Sequence, residues 1–146
     1  MEHLLNMKKE GKIRHLGFSA HGGMDVLKRF LDTYGEHMEF CQLQVNYMDW
    51  HFQDAQAKVE LMAKNGIPVT VMEPLRGGKL ASFSPEMGKK LNALRANTGA
   101  VEWAFRFLQS VPDLVTILSG MSNMEQLKQN IEIFKAEAVS RYVLSR

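Results

Sequence analysis

Ile67-Pro68-Val69-Thr70-Val71-Met72-Glu73-Pro74-Leu75-Arg76-Gly77-Gly78-Lys79 is a short apolar run that ends in a polar, glycine-rich turn, and its reading decides the fold. A nearly continuous apolar run of this length is expected of a strand covered on both faces. Pro68 stands at its start, where a missing N–H is tolerated. Three other runs repeat the pattern: Ile13-Arg14-His15-Leu16-Gly17-Phe18-Ser19, Phe40-Cys41-Gln42-Leu43-Gln44-Val45-Asn46-Tyr47 and Leu114-Val115-Thr116-Ile117-Leu118-Ser119-Gly120. Each passes into polar or glycine residues just before a helical stretch. In α/β proteins ligands sit at the carboxyl ends of parallel strands, so these polar ends mark one candidate face. The first three strands are expected to start at Ile13, Phe40 and Ile67, 27 residues apart, with the fourth delayed by the glycine-rich excursion. Such spacing fits a barrel or a doubly wound sheet, and four units make half of an eight-unit (β/α) barrel. No GxGxxG follows the first strand, which disfavours a Rossmann dinucleotide site.

The helices between the strands are read from apolar spacing and from terminating residues. Residues 2–10 form a helix closed by Gly11 and followed at once by a strand, as in the tail of an earlier unit. A second helix, Met24 to Tyr34, carries Val26, Leu27, Phe30 and Leu31 on one face and ends at Gly35. A third, Gln53 to Asn65, buries Ala55, Val59 and Met62 or Ala63 and ends at Gly66. Ser84 caps a short helix with Pro85 at its first position. The spacing of Val101, Ala104, Phe105 and Leu108 predicts another helix after Gly99. The last helix opens on Ser122-Asn123-Met124-Glu125, a capping-box pattern with Ser122 as the cap, and buries Leu127, Ile131 and Phe134. The expected organisation is one domain over 1–146: residues 1–11 as the tail of a preceding helix, 12–135 as four βα units, and 136–146 as a C-terminal tail.

Composition bounds the class. The chain has 146 residues, 45% hydrophobic and 23% charged, ordinary values for a globular domain able to bury a core. A net charge of +2 with scattered basic residues gives no footprint for nucleic acid. Cys41 is the only cysteine, which excludes an internal disulfide and any CxxC metal or redox motif. No run approaches the ~20 apolar residues of a membrane span. The N-terminus lacks a signal-peptide pattern, so the expected setting is cytoplasmic, with no membrane partner.

The sharpest local chemistry lies in Glu73 to Lys79. Adjacent glycines let backbone N–H groups converge on an anion, and Arg76 and Lys79 add charge. A phosphate or pyrophosphate suits this loop; an ordinary flexible connection with two solvated cations is the plainer alternative. Ser119-Gly120-Met121-Ser122 feeds a helix N-terminus, where free N–H groups favour anions, although Ser122 is equally accounted for as the cap. Gln42 and Gln44 alternate with Leu43 and Val45, so both amides share one face. They are either a self-satisfied polar layer or partners for a carboxamide ligand. Ser19, His21 and Asn46 are further polar residues at strand ends, and Glu73 is either a general base or an ion-pair partner of Arg76. No GxSxG, HExxH or evident carboxylate pair is present.

Taken together these strings resemble the aldo/keto reductases, closest to a bacterial and archaeal branch that often carries iron–sulfur clusters. Gly11-Lys12-Ile13-Arg14-His15-Leu16-Gly17-Phe18-Ser19 resembles the family's fifth strand and Gln42-Leu43-Gln44-Val45-Asn46-Tyr47 its sixth. Met72-Glu73-Pro74-Leu75-Arg76-Gly77-Gly78-Lys79-Leu80 resembles the seventh strand and its loop. Ser119-Gly120-Met121-Ser122 with Glu125-Gln126-Leu127-Lys128-Gln129-Asn130 resembles the eighth strand and the cofactor-adjacent helix.

The resemblance implies the C-terminal half of a TIM (β/α)8 barrel and NADP(H)-dependent carbonyl reduction. It implies that Ser19 and Gln42 hold the nicotinamide carboxamide. Leu75, Gly77 and Gly78, flanked by Glu73, Arg76 and Lys79, would cover the pyrophosphate. Ser122, Gln126 and Asn130 would surround the adenosine ribose and its phosphate. Gln126 stands where many members place an arginine, so NAD(H) stays open beside NADP(H). Ala20 and Met72 replace the Asn and the stacking Tyr that are common in the family, and cysteine ligands for a cluster are absent. The family's catalytic Asp, Tyr, Lys and His belong to its first four strands, so no catalytic residue is expected here. The expected partners are therefore a nicotinamide nucleotide and either an N-terminal half-barrel or a second copy of the chain. The alternatives are a non-catalytic half-barrel that dimerises or binds ligands, and a truncated fragment.

Overall fold

The four apolar runs become four parallel strands of one sheet, in sequential order, in a computed structural model that describes residues 1–135. The expected tail at 136–146 lies outside the described residues. The strands are β1 (Gly17–Ala20), β2 (Phe40–Gln44), β3 (Val69–Met72) and β4 (Leu114–Ile117). The helices are α1 (Glu2–Lys9), α2 (Met24–Tyr34), α3 (Asp49–Phe52), α4 (Ala55–Lys64), α5 (Pro85–Leu94), α6 (Ala100–Ser110) and α7 (Met124–Lys135).

Register sets which side chains share a face. Ser19 lies opposite Gln42, and Gln44 opposite Met72. Between β3 and β4 the register slips after Val69, so that Thr70 lies opposite Thr116. Because side chains alternate along a strand, Cys41, Leu43, Val69 and Val71 point to one side, where Leu27, Leu31, Val59, Met62, Phe105 and Leu108 cover them. Burying such an aliphatic side chain contributes about 1.5–3 kcal/mol, so this helix-covered face holds the sheet together. Gln42, Gln44, Thr70 and Met72 turn to the other side and stay partly exposed. The third strand is therefore not covered on both faces as expected, because the helices form a layer on one side only.

Other expectations shift for local reasons. β1 begins at Gly17, not Ile13, because its partner β2 starts only at Phe40, after a 3₁₀ turn at Gly35–His37. Before Gly17, the Leu16 carbonyl accepts from Glu39 N (2.8 Å). Even spacing of strand starts does not hold, whereas α2 ends at Tyr34 with Gly35 as its C-cap, as expected, and Gly35 leads on into the turn. The helix expected over 53–65 forms as α4 (Ala55–Lys64), and an unexpected short helix, α3, precedes it, set off at Asp54, whose φ of 53° is left-handed. Ser84 caps α5 as expected, accepting from Met87 N at 3.2 Å. In α2 Leu27 and Leu31 are buried while Val26 is exposed, and in α7 Asn130 and Ile133 are buried while Ile131 and Phe134 are largely exposed.

Away from the strand carboxyl ends, α1 is tied to the start of β2. Glu39 accepts from Lys8 Nζ and meets His15 Nδ1 at 2.7 Å. These two partners hold the Glu39 carboxyl below its ordinary range.

Candidate functional site

Ser19 and the 73–79 loop stand at or just beyond the carboxyl ends of β1 and β3, Gln42 lies midway along β2, and Gln126 and Asn130 lie on α7. At the end of β1, Ser19 is exposed and its Oγ lies 3.0 Å from His21 Nε2. Gln42 is the register partner of Ser19 on β2, and among the described residues its amide Nε2 meets only the Met72 sulfur, at 3.4 Å. A thioether is a weak acceptor, so this carboxamide keeps hydrogen-bonding capacity toward the open face.

Beyond β3 the backbone makes a run of tight turns. Glu73, Arg76, Gly77 and Gly78 all take left-handed φ values, of 56°, 49°, 61° and 85°. Leu80 N returns to Leu75 O at 3.0 Å, and Ala81 N to Gly78 O at 3.0 Å, closing the loop on itself. A Cβ at Gly78 would meet nothing within 4 Å, and one at Gly77 only a Glu73 carboxylate oxygen at 3.9 Å. The glycines are thus required by conformation, and the space in front of them is open. Leu75 packs on the core, whereas Glu73 and Lys79 are exposed.

Arg76 does not pair with Glu73. Its Nε lies 3.4 Å from Asp49 Oδ2, its Nη1 meets the Met48 sulfur, and its guanidinium carbon sits 5.5 Å from the centroid of the Phe52 ring. Asp49 is fully buried. Its Oδ2 also accepts from Gln44 Nε2 and Asn46 Nδ2, each at 2.7 Å. Asn46, itself buried, donates to the Glu73 carbonyl (3.1 Å) and accepts from Met48 N and Asp49 N (3.1 and 2.8 Å). This network joins the end of β2 to the end of β3. The sequence shows it only as an Asn three residues ahead of an Asp after a strand, a spacing at which the amide oxygen can cap the following turn. Gln44 therefore belongs to an internal polar layer, while Gln42 does not.

Beyond the end of β4, two of the remaining candidates, Ser122 and Gln126, bond to each other, and the third, Asn130, bonds to Ser119. Gln126 Oε1 accepts from Ser122 N and Oγ (2.8 and 3.2 Å), and Asn130 Nδ2 donates to Ser119 Oγ (3.0 Å). The side chain accepting at the start of α7 is Asn123, from Gln126 N at 2.9 Å, so the cap stands one residue later than expected at Ser122. Among the described residues no group of three or more His, Cys, Asp or Glu is placed to hold a metal ion, and no helix is long and apolar enough to cross a membrane.

A site of this form has a donor row on β1 and β2 and an open glycine turn beyond the end of β3. Comparison with known proteins bears on it. A bacterial enzyme, the aldo-keto reductase of Bacillus halodurans in its holo form, shares the fold at a TM-score of 0.75 and 22% identity, over 95% of this chain and 50% of that one. An aldo-keto reductase of Klebsiella pneumoniae, solved in complex with NADPH, superposes at a TM-score of 0.75 and 19% identity, over 99% of this chain and 50% of its own. The chain therefore spans about half the length of these reductases, and its four βα units match about half of their TIM barrels. No curated protein matches it in sequence. The sequence profile of the aldo/keto reductase family, in contrast, matches all of residues 1–146, and the chain belongs to that family.

Proposed function

We propose that this chain is the cofactor-side half of an aldo/keto reductase, binding NADP(H) along its strand ends and reducing carbonyl compounds together with an N-terminal half-barrel. The observation that supports it most is the row formed by Ser19 and the under-partnered Gln42 amide beside the open Gly77–Gly78 turn. These residues fit a dinucleotide. Ser19 and Gln42 offer hydroxyl and amide groups for a carboxamide, and the turn leaves room for a backbone-bound anion with Lys79 adding charge. Ser122, Gln126 and Asn130 stand at the far end of the row, where the adenosine ribose is expected. The chemistry such a nucleotide supplies is hydride donation to a carbonyl carbon. The residues of this half hold and orient it, and the general acid that protonates the carbonyl oxygen comes from the other half. The nucleotide complex of the Klebsiella relative supports NADP(H) as the cofactor class.

Titration of NADPH into the chain, with tryptophan fluorescence and solution mass read together, tests this. Binding without aldehyde turnover is the expected result. A stable dimer indifferent to nucleotide would sink the proposal in favour of a non-catalytic half-barrel. Reductase activity from this chain alone would show that the acid lies within it.

A further inference from the structure

The buried Asp49 carboxylate is unusual because nothing in the proposed chemistry needs it. It is fully enclosed, and its Oδ1 is buried with no hydrogen-bond partner among the described residues. Enclosing a carboxylate is costly unless charge and hydrogen bonds compensate. The compensation comes from Gln44 and Asn46 on its own segment and from one cation, Arg76, reaching across from the next strand end.

Arg76 is one of two non-glycine residues in that loop with left-handed φ, the other being Glu73, whose carbonyl is held by Asn46. Non-glycine residues occupy that region only when their surroundings hold them there. Both strained residues are thus tied to the Asn46–Asp49 pair, one by each partner.

We propose that Asp49 is a positioning residue that latches Arg76 to the end of β2 and so keeps the Glu73–Gly78 turn in its open, ligand-accepting form. On this view Arg76 is the latch arm and not a ligand for the anion, which is left to the turn's backbone N–H groups and Lys79. The inference rests on the nucleotide-binding reading for its affinity readout, but its structural half does not.

The sign of one experiment separates the latch from plain electrostatics. Removing a negative charge beside an anion site should tighten NADPH binding if charge alone matters. The latch requires the opposite: Asp49→Asn frees the turn to leave its competent form, and apparent affinity falls with the competent fraction, about tenfold if that fraction drops to roughly a tenth. Arg76→Met should weaken binding to the same extent, and the double variant no further, because both act through one contact. Tighter or unchanged binding in Asp49→Asn, or losses that add, would overturn the proposal. Amide exchange of residues 73–81 in the same variants provides the second readout, faster there with β2 and β3 unchanged. If the unsubstituted chain binds no NADPH, the nucleotide reading fails while exchange still decides the latch: faster exchange supports it, unchanged exchange rejects it. Should Asp49→Asn fail to fold, the part-exposed Arg76→Met carries both measurements.

Discussion

Replacing Asn46 by alanine tests whether the polar network between β2 and β3 holds the site edge together. The side chain makes four hydrogen bonds, to Asp49 Oδ2 and the Glu73 carbonyl and from Met48 N and Asp49 N. Met48 and Glu73 are exposed, so water can replace the bonds to them. Asp49 is not, and its amide and carboxylate each lose a partner inside the fold. A buried group left without its partner costs about 1–3 kcal/mol, and the carboxylate keeps Gln44 and Arg76, so a loss of about 2–4 kcal/mol is expected for Asn46→Ala. That is a large part of the ~5–15 kcal/mol that a domain has in total.

Asn46→Asp sharpens the test, because it keeps an acceptor for the two amides but sets a second carboxylate against Asp49. Two such groups cannot both ionise easily, so the folded pair holds a proton more tightly than the unfolded chain does. A raised folded-state pKa makes stability fall as pH rises. Asn46→Asp should therefore be destabilised at neutral pH and recover part of the loss toward acidic pH, over a larger span than Asn46→Ala does. Urea unfolding followed by fluorescence of Trp50 and Trp103 measures both. A loss below about 1 kcal/mol for the alanine variant, or two variants with the same pH profile, would refute the reasoning, since water would then replace the network.

Cys41 is fully buried, and burial pushes its thiol up to about 12. A disulfide reagent at mildly alkaline pH should leave it unlabelled until denaturant opens the sheet, and labelling at a free-thiol rate would contradict the packing. Glu39, held low by Lys8 and then His15, stabilises the fold above the ordinary carboxyl value of 4.5 and ceases to as pH falls through its lowered value. Stability curves of Glu39→Gln and the unsubstituted chain should therefore differ near neutrality and converge in acid; parallel curves would remove Glu39 from the acid limb. At α7, Asn123→Ala should lower stability by about 0.5–2 kcal/mol and Ser122→Ala by much less, and equal losses would return the cap to Ser122.

What the sequence disclosed and what it concealed follow from the range of the interactions. The strands, the helices and the helix-facing core were legible because period-2 and period-3.6 patterns are local, whereas spacing left a barrel or a doubly wound sheet open and the strand order came from the family resemblance. Leu43, Val69, Val59 and Leu108 are where their spacing puts them. The pairing of Ser19 with Gln42 needed register, which the sequence does not carry residue by residue. The Arg76–Asp49 contact was hidden because the pair is separated by a helix, a connection and a strand. Proximity in the chain favoured Glu73 as the partner of Arg76, and left-handed φ at both loop residues turned the arginine away from it.

The expectations that failed in α2 and α7 share one cause. Val26, Ile131 and Phe134 lie on apolar stripes and yet are exposed, as are Val115 and Leu118 on and just beyond β4. Among the described residues β1 and β4 each have a single neighbour in the sheet, so the first and last units bury only the side that faces inward. Phe134 still reaches Phe105, with centroids 5.2 Å apart, which shows the stripe half used. Unpaired edges and exposed apolar side chains favour a further strand on each side. In a closed barrel those strands would also shut the face that carries Ser19, Gln42 and the Gly77–Gly78 turn. On the proposed reading, burial of these flanks and assembly of the active site are one event, so whatever completes the sheet stabilises this chain and supplies its chemistry together.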